Sequence, residues 1–261
     1  MKLAGALGIG QADPTHWWSE APTVDGASWE GHRVGSGEVF LPLMVQGDTY
    51  AGFEAAHTSF MASLDPRHEG LLRVVRPDGR WREIGCRYTS GTTGPTADWD
   101  VTRSLVATYG VTWTTADPYW RGEAVTHRFE NDAGAAFFPG PPFTIGKGLT
   151  LQDPTIVNPG DLEAYATWRI DGPFTGFSVG VGTSLVEMTF TRSAGQWVEI
   201  DMNPRQLTIV DQAGVDRWDN VTEVAFSSIP SGSTQLSTTV TGASAASAIE
   251  LRFTPRYRRP W

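Results

Sequence analysis

The first candidate for chemistry is Gly176-Phe177-Ser178-Val179-Gly180, which has the Gly-x-Ser-x-Gly spacing of a hydrolase nucleophile elbow. An acyl-transferring serine requires a histidine base, and in hydrolases with this elbow the histidine follows the serine along the chain. All histidines of this chain precede Ser178: His16, His32, His57, His68 and His127. The flanking sequence is typical of strand–turn–strand, whereas the elbow needs a strand followed by a helix. We therefore predict no esterase site.

The acidic residues around Trp99 are a second candidate, because two carboxylates beside an indole could serve a glycosidase. Asp98-Trp99-Asp100 follows the loop-forming sequence Thr92-Thr93-Gly94-Pro95, so a solvated turn is the favoured interpretation. No metal-ligand spacing such as Cys-x-x-Cys or His-Glu-x-x-His occurs. The sequence predicts no catalytic, cofactor-binding or metal-binding residue, and therefore no enzyme.

Composition indicates a turn-rich β protein with more than one domain. The 261 residues are 40% hydrophobic and 19% charged, enough for two domains that each bury a core. The 29 Gly and 17 Pro residues predict many turns. A net charge of −9 disfavours specific nucleic-acid binding, and no apolar run reaches the about 20 residues of a membrane span. The single cysteine, Cys86, excludes an intrachain disulfide.

One segment has the periodicity of a helix. Asp48 is the expected N-cap, and Asp65-Pro66 is the expected end because the residue before a proline avoids the α region. The apolar face of this helix comprises Tyr50, Phe53, His57, Phe60, Met61 and Leu64. We interpret His57 as a hydrogen-bonded core or boundary histidine rather than a ligand.

Most other segments resemble strands joined by turns. Pro77-Asp78-Gly79 predicts a hairpin turn, because Pro fixes the bend and Gly accepts a positive φ. Asp211-Gln212-Ala213-Gly214 predicts a second hairpin, with Val215–Trp218 as its returning strand. Residues 231–247 are rich in Ser, Thr, Ala and Gly and indicate a soft loop, part of which forms an edge strand at Leu236 and Val240.

A Pro- and Gly-rich run at residues 137–142 divides the chain. We predict a mixed N-terminal domain, residues 1–138, that contains the helix. Residues 139–261 then contain about eight to ten short strands, typical of an antiparallel β-sandwich. The last residues are candidates for packing back on the N-terminal domain.

The 11 Trp residues are more than the core alone accounts for. Trp, Tyr and Arg are enriched at interface hot spots, and Trp also stacks on sugars. Trp168 and Trp197 lie in strand-like sequence and are expected to fill the sandwich. The candidate interface residues are Trp17, Trp18, Trp29, Arg33, Arg256, Tyr257, Arg258, Arg259 and Trp261. For the C-terminal members of this set, a solvated tail is the alternative.

Several stretches resemble, in their order, the distal tail (minor tail) proteins of siphophages, especially those of actinobacteria. The stretches are Trp29–Val34, Glu38–Leu43, Leu72–Gly79, Ala116–Trp120, Asn158–Tyr165, Trp168–Pro173, Val198–Arg205 and Asp211–Gly214. The resemblance implies a mainly β fold, with an N-terminal split-barrel-like β domain carrying one α-helix and a C-terminal galectin-like antiparallel β-sandwich. It brings no catalytic residues and no cofactor.

The resemblance also implies a role and a set of partners. Such a protein is a structural virion component at the tail tip, or baseplate, and forms a homohexameric ring between the tail tube and the tail-tip hub. Its expected partners are copies of itself, the tail tube protein, the hub and tape measure proteins, and receptor-binding proteins. DNA passes the lumen without specific binding, and no membrane insertion is expected. The alternative is a galectin-like tail protein that binds a glycan or receptor through exposed Trp residues.

Overall fold

The structure is a computed structural model that describes residues 5–94, 100–130 and 154–261, together with the backbone of 148–150. Strands dominate and pair antiparallel, which confirms the predicted mainly β fold class. The chain divides into two compact units. The first runs to Arg121 and includes Tyr257–Trp261, and the second is Gly122–Arg256. The boundary that the sequence predicted, between residues 138 and 139, lies outside the described residues.

The first unit is a set of antiparallel strands with one longer helix. Its strands are β1 (Pro14–Ser19), β2 (Ser28–Val34), β3 (Gly37–Gln46), β4 (Gly70–Val75), β5 (Trp81–Ser90), β6 (Val106–Thr115) and β7 (Trp120–Arg121). Strand β5 pairs with β4 through its first half and with β6 through its second half, while β3 pairs with β6 along ten residues. Strands β1 and β2 form a separate two-stranded sheet.

The predicted turn at Pro77-Asp78-Gly79 is confirmed. Gly79 has a φ of +83°, the left-handed conformation for which Gly is suited. The Gly79 N–H donates to the Arg76 carbonyl at 3.0 Å, and the Arg76 N–H donates to the Arg80 carbonyl at 2.8 Å. This turn sets the register of β4 on β5, from Val75 opposite Trp81 to Gly70 opposite Cys86.

Helix α1 (Tyr50–Ala62) covers the sheet of the first unit, as the apolar periodicity predicted. Phe53 is buried with Tyr109 and Val111 of β6, and Phe60 and Met61 pack beside them. The predicted N-cap was wrong by one residue: the Thr49 hydroxyl, not Asp48, accepts the Gly52 N–H, at 3.1 Å. Tyr50 lies on the same side of the helix as Phe53 and His57, but it is 56% exposed because it is the first helical residue.

A shorter helix, α2 (Val101–Ser104), was not predicted. Asp100 is its N-cap, and the carboxylate accepts the Thr102 N–H at 3.0 Å and the Thr102 hydroxyl at 2.6 Å. These hydrogen bonds lower the pKa of Asp100 below its usual value. A structural role for Asp100 agrees with the predicted turn. Its proposed partners, Asp98 and Trp99, lie outside the described residues.

The second unit is an antiparallel β-sandwich. Its strands are β8 (Val125–Glu130), β9 (Gly148–Thr150), β10 (Thr155–Asn158), β11 (Ala164–Asp171), β12 (Gly176–Val181), β13 (Ser184–Met188), β14 (Trp197–Asp201), β15 (Thr208–Asp211), β16 (Val221–Val224), β17 (Ser228–Ile229), β18 (Gly232–Thr241) and β19 (Ala248–Phe253). One sheet has the order β10-β18-β12-β13-β16 and the other β15-β14-β11-β19-β8. Alternate residues of both sheets share one hydrophobic core, as in β11, where every second side chain is buried.

Strand β18 differs from the prediction of a soft loop with an edge strand. It is ten residues long and lies inside its sheet, with β12 on one side and β10 and β9 on the other. Leu236 and Val240 are buried, and Thr234 and Thr238 occupy the intervening buried positions. Small polar side chains therefore fill a central strand here.

The predicted hairpin at Asp211–Gly214 is present only as a turn. Beyond it, a single bridge joins Asp216 to Val210, and the chain then forms a short 3-10 turn at Trp218–Asn220. The Asp211 carboxylate holds this turn, because it accepts the Ala213 and Val215 N–H groups at 2.9 and 3.1 Å. It also accepts the Arg192 guanidinium at 2.9 Å and that of Arg217.

Candidate interaction surfaces

Ser178 has no environment for nucleophilic catalysis. It lies in the middle of β12, opposite Glu187 of β13 and Thr239 of β18, so no sharp turn presents its hydroxyl. Among the described residues, no group of three or more His, Cys, Asp or Glu side chains could hold a metal ion. Cys86 is buried, and burial raises the pKa of its thiol, which disfavours the nucleophilic thiolate. No described helix is long and apolar enough to cross a membrane.

An open cavity of about 340 Å³ lies beside α1. It contains His57, whose Nε2 lies 2.7 Å from the Tyr109 hydroxyl. The ring of His57 also stacks on Phe53. These contacts agree with the interpretation of His57 as a hydrogen-bonded boundary histidine that joins the helix to β6.

The β1–β2 hairpin carries three of the predicted interface residues, Trp17, Trp18 and Trp29. Their exposed fractions are 50%, 59% and 53%, and no residue of either strand is buried. A two-stranded hairpin without a buried face is marginally stable in water. The strand pairing was not predicted, although Asp25-Gly26 in the connecting loop is a turn signal and Gly26 has a φ of +93°.

One face of the hairpin is a continuous aromatic cluster, which we call the aromatic face: His16, Trp18, Trp29 and His32. The Trp29 Nε1–H donates to His16 Nδ1 at 3.1 Å, and the Trp29 and His32 rings stack with centroids 5.8 Å apart. A register shift between Trp17 and Trp18 accommodates the extra residue of β2.

The opposite face of the hairpin carries Trp17 and Arg33. Trp17 lies one residue from Trp18 and therefore projects to the other side, where it faces Gly31 across the strands. Arg33 is exposed and pairs with Thr15. The hairpin thus presents an indole on each face, but only the face with Trp18 assembles four rings.

The C-terminal residues of the first unit are held by Arg82. Its guanidinium lies 3.4 Å from the centroid of the Tyr257 ring, and its Nη1 donates to the Arg259 carbonyl at 2.7 Å. Tyr257 is buried with Ile84 and Trp120, so its ring serves the core of its own unit. Arg258, Arg259 and Trp261 are exposed, and these residues are therefore anchored to the unit rather than forming a free tail.

Trp197 lies among charged side chains on the outer face of the β15-β14-β11-β19-β8 sheet. Trp197 was predicted to fill the core, but it lies on this outer face, with the Arg169 guanidinium 4.7 Å from its ring centroid. Trp168, in contrast, is fully buried, as predicted. Arg169 and Arg128 both pair with Asp171, at 2.9 and 3.0 Å. Arg256, a predicted interface residue, lies 5.2 Å from the ring centroid of Tyr165.

No protein-family model and no curated protein matches the chain. Its fold is similar to the crystal structure of the SPP1 Dit (gp 19.1) protein, described as a paradigm of the hub adsorption apparatus in phages that infect Gram-positive hosts. The TM-score is 0.67 at 13% identity, over 97% of this chain and 92% of that chain. Two structures of the phage P2 baseplate in its activated conformation, one with Ca and one with Sr, match with TM-scores of 0.52 and 0.51 at 10% identity. They cover 96% and 95% of this chain and 88% of those chains.

Proposed function

We propose that this chain is a structural subunit of a phage tail tip, which closes into a homohexameric ring between the tail tube and the tail-tip hub. The observation that carries the proposal is the shared fold with SPP1 Dit, which extends over 97% of this chain and 92% of that protein. The match includes both units, so it covers the two-part architecture and not a common sandwich alone. The ring would also anchor the tape measure and receptor-binding proteins of the virion.

The chemistry of the described residues supports a structural role. Ser178, Cys86 and Asp100, the candidate catalytic groups that the structure describes, are each placed in a strand, a core or a helix cap. A ring subunit instead needs two different surfaces that meet between neighbouring copies, because a ring is built from heterologous contacts. The exposed Trp residues of the hairpin and the exposed Arg residues of the first unit are suited to such contacts.

The mass and symmetry of the purified chain test this proposal. Native mass spectrometry and negative-stain microscopy are expected to find closed rings with six times the mass of the 28.4-kDa chain. The rings should show sixfold symmetry and a central channel. A chain that stays monomeric at all concentrations and is also absent from any collar in the virion would contradict the proposal.

Glycan or receptor binding is the second candidate function, and Trp197 favours it. A partly exposed indole on the outer sheet face, beside Arg169 and Glu199, could stack on a sugar where Arg169 does not cover it, with hydrogen-bonding groups next to it. Titration of the protein with host cell-wall polysaccharide, followed by calorimetry, tests it. Binding that Trp197→Ala abolishes would support this function, whereas heats equal to those of buffer injections would exclude it.

A further inference from the structure

The β1–β2 hairpin is left uncovered by the described part of its own chain. Among the described residues, its side-chain hydrogen bonds are those of Ser19 with Glu30 and of Trp29 with His16, and both join its own two strands. Four aromatic rings are nevertheless held together on one face. A pre-ordered aromatic surface of this kind is typical of an interface hot spot, because rigid rings lose little entropy on binding.

The hairpin and its connecting loop carry a surplus of negative charge. Residues 13–34 contain four acidic residues and one Arg. These exposed residues are Asp13, Glu20, Asp25, Glu30 and Arg33. The partner that fits the aromatic face should therefore present positive charge next to an apolar patch.

The same unit has a surface with that composition, which we call the arginine ribbon: β4, β5 and residues 257–261. Residues 70–87 contain five Arg and two acidic residues, and the C-terminus adds Arg258 and Arg259. Strand β4 pairs only with β5 among the described strands, and its Leu71 and Val75 are 57% and 64% exposed. Apolar side chains on an open strand edge thus lie between arginines.

Arginine stacks on an aromatic ring on each face of this ribbon, and Arg73 and Arg76 also pair with the acidic residues Glu83 and Asp78. The Arg73 guanidinium lies 4.0 Å from the Trp81 ring centroid, on the face with Leu71 and Val75. The Arg82 guanidinium lies 3.4 Å from the Tyr257 ring centroid, on the opposite face. A guanidinium over an indole face is attracted by the ring quadrupole, and the attraction strengthens when water is excluded. Exposed Arg80 and Arg259 could make the same contact with an incoming Trp.

We infer that the aromatic face of the β1–β2 hairpin packs on the arginine ribbon of a second copy of this chain. Each copy then contributes a hairpin to one neighbour and a ribbon to the other, so the contact is head to tail. Such contacts close into a ring when the rotation between copies permits it. This inference rests on the proposed ring and assigns the surfaces through which neighbouring copies meet.

Charge reversal in trans is the sharpest test. One full-length variant carries Glu20→Arg with Asp25→Arg in the hairpin loop, and the other carries Arg80→Glu with Arg259→Glu in the ribbon. Each variant alone places like charges against each other, so the protein concentration needed for half assembly should rise at least 10-fold by light scattering. An equimolar mixture restores opposite charges at every contact of an alternating ring, and assembly should return.

Indole removal is the second measurement, with a control from the same hairpin. Trp18→Ser with Trp29→Ser removes the aromatic face, whereas Trp17→Ser removes a comparably exposed indole from the other face. The double variant should assemble at least 10-fold more weakly than the wild type, and the Trp17 variant should assemble within 2-fold of it. Thermal unfolding of the three proteins verifies that the units remain folded.

The outcomes separate this inference from the proposed function. If the wild-type chain forms rings but both charge-reversed variants assemble normally, or their mixture fails to regain assembly, the assigned surfaces are wrong and the ring stands. If Trp17→Ser weakens assembly as strongly as the loss of Trp18 and Trp29, the aromatic face is not the contact. A wild-type chain that forms no ring overturns both.

Discussion

Trp168 in the β-sandwich and Trp18 in the β1–β2 hairpin place the same side chain in opposite environments. Trp168 is fully buried between β14 and β19, opposite Ile200 and Leu251, while Trp18 is 59% exposed. Burial of a large apolar side chain stabilises its own unit by about 2–3 kcal/mol. An exposed indole makes no such contribution, and its apolar surface remains for a partner. Trp168 therefore contributes to the folding of the sandwich, whereas the contribution that we propose for Trp18 is to assembly.

Removal of the buried indole should produce the largest effect on stability. Trp168→Ala is expected to lower the free energy of unfolding by about 3–5 kcal/mol, because it deletes buried area and leaves a cavity. Guanidinium denaturation monitored by circular dichroism measures the change. Trp168→Phe should cost less than half as much, because the Trp168 Nε1–H is buried without a hydrogen-bond partner and its loss removes that penalty.

Loss of the Asp211 carboxylate should give the next largest loss of stability, and this loss should depend on pH. Hydrogen bonds from Arg217 and from the Ala213 and Val215 N–H groups lower the pKa of Asp211 in the folded state. The ionised carboxylate therefore stabilises the sandwich above the unfolded pKa, and this contribution disappears as the pH falls through the lower folded pKa. Asp211→Asn should unfold at a lower denaturant concentration at pH 7. The difference in unfolding midpoint between the variant and the wild type should disappear in strongly acidic buffer. A difference that is constant with pH would contradict this mechanism.

Loss of the N-cap of helix α1 should lower stability by less than loss of Trp168 and by more than loss of a hairpin indole. Thr49→Ala removes the hydroxyl that accepts the Gly52 N–H, so the first unit should lose about 1 kcal/mol. Asp48→Ala is the matched control at the neighbouring position and should have a smaller effect on the unfolding midpoint. Equal losses of stability for the two variants would indicate that Asp48 also caps the helix.

The hairpin indoles should have the smallest effect on the stability of a single copy. Trp17→Ala is expected to change the free energy of unfolding by no more than about 0.5 kcal/mol, since exposed substitutions seldom do more. Denaturation at a protein concentration below that of assembly measures the isolated copy. A loss of unfolding free energy as large as that for Trp168→Ala would mean that the hairpin packs on its own chain. The hairpin indoles would then contribute to folding, as Trp168 does.

Local signals in the sequence predicted local structure well. The Pro77-Asp78-Gly79 turn was predictable because Pro and Gly each specify a backbone conformation at their own positions. Helix α1 was predictable from its apolar spacing, although the choice between Asp48 and Thr49 as N-cap depended on one side-chain hydrogen bond. Both residue types cap helices, so propensity alone could not distinguish them.

Features that depend on distant partners were not predictable. Trp168 and Trp197 both lie in strands, but the register of β11 on β14 places Trp168 opposite Ile200 on the core face and Trp197 opposite Asp171 on the other. Strand β18 consists largely of Ser and Thr, and its central position follows from pairing with β12 and β10, far away in the chain. The hairpin that displays Trp18 and Trp29 is local, and the Asp25-Gly26 turn signal in its loop could have identified it. The predicted interface role of these residues remains a prediction.

We propose that this chain forms a closed collar at the tail tip of a phage. Cryo-electron microscopy of the intact particle, with the chain identified in the density by its 11 Trp side chains, tests it most directly. We expect six copies in a ring between the tube and the hub, with the β1–β2 hairpin of each copy on the next copy. Density that places the chain outside any ring, or as single copies that do not touch one another, would contradict it.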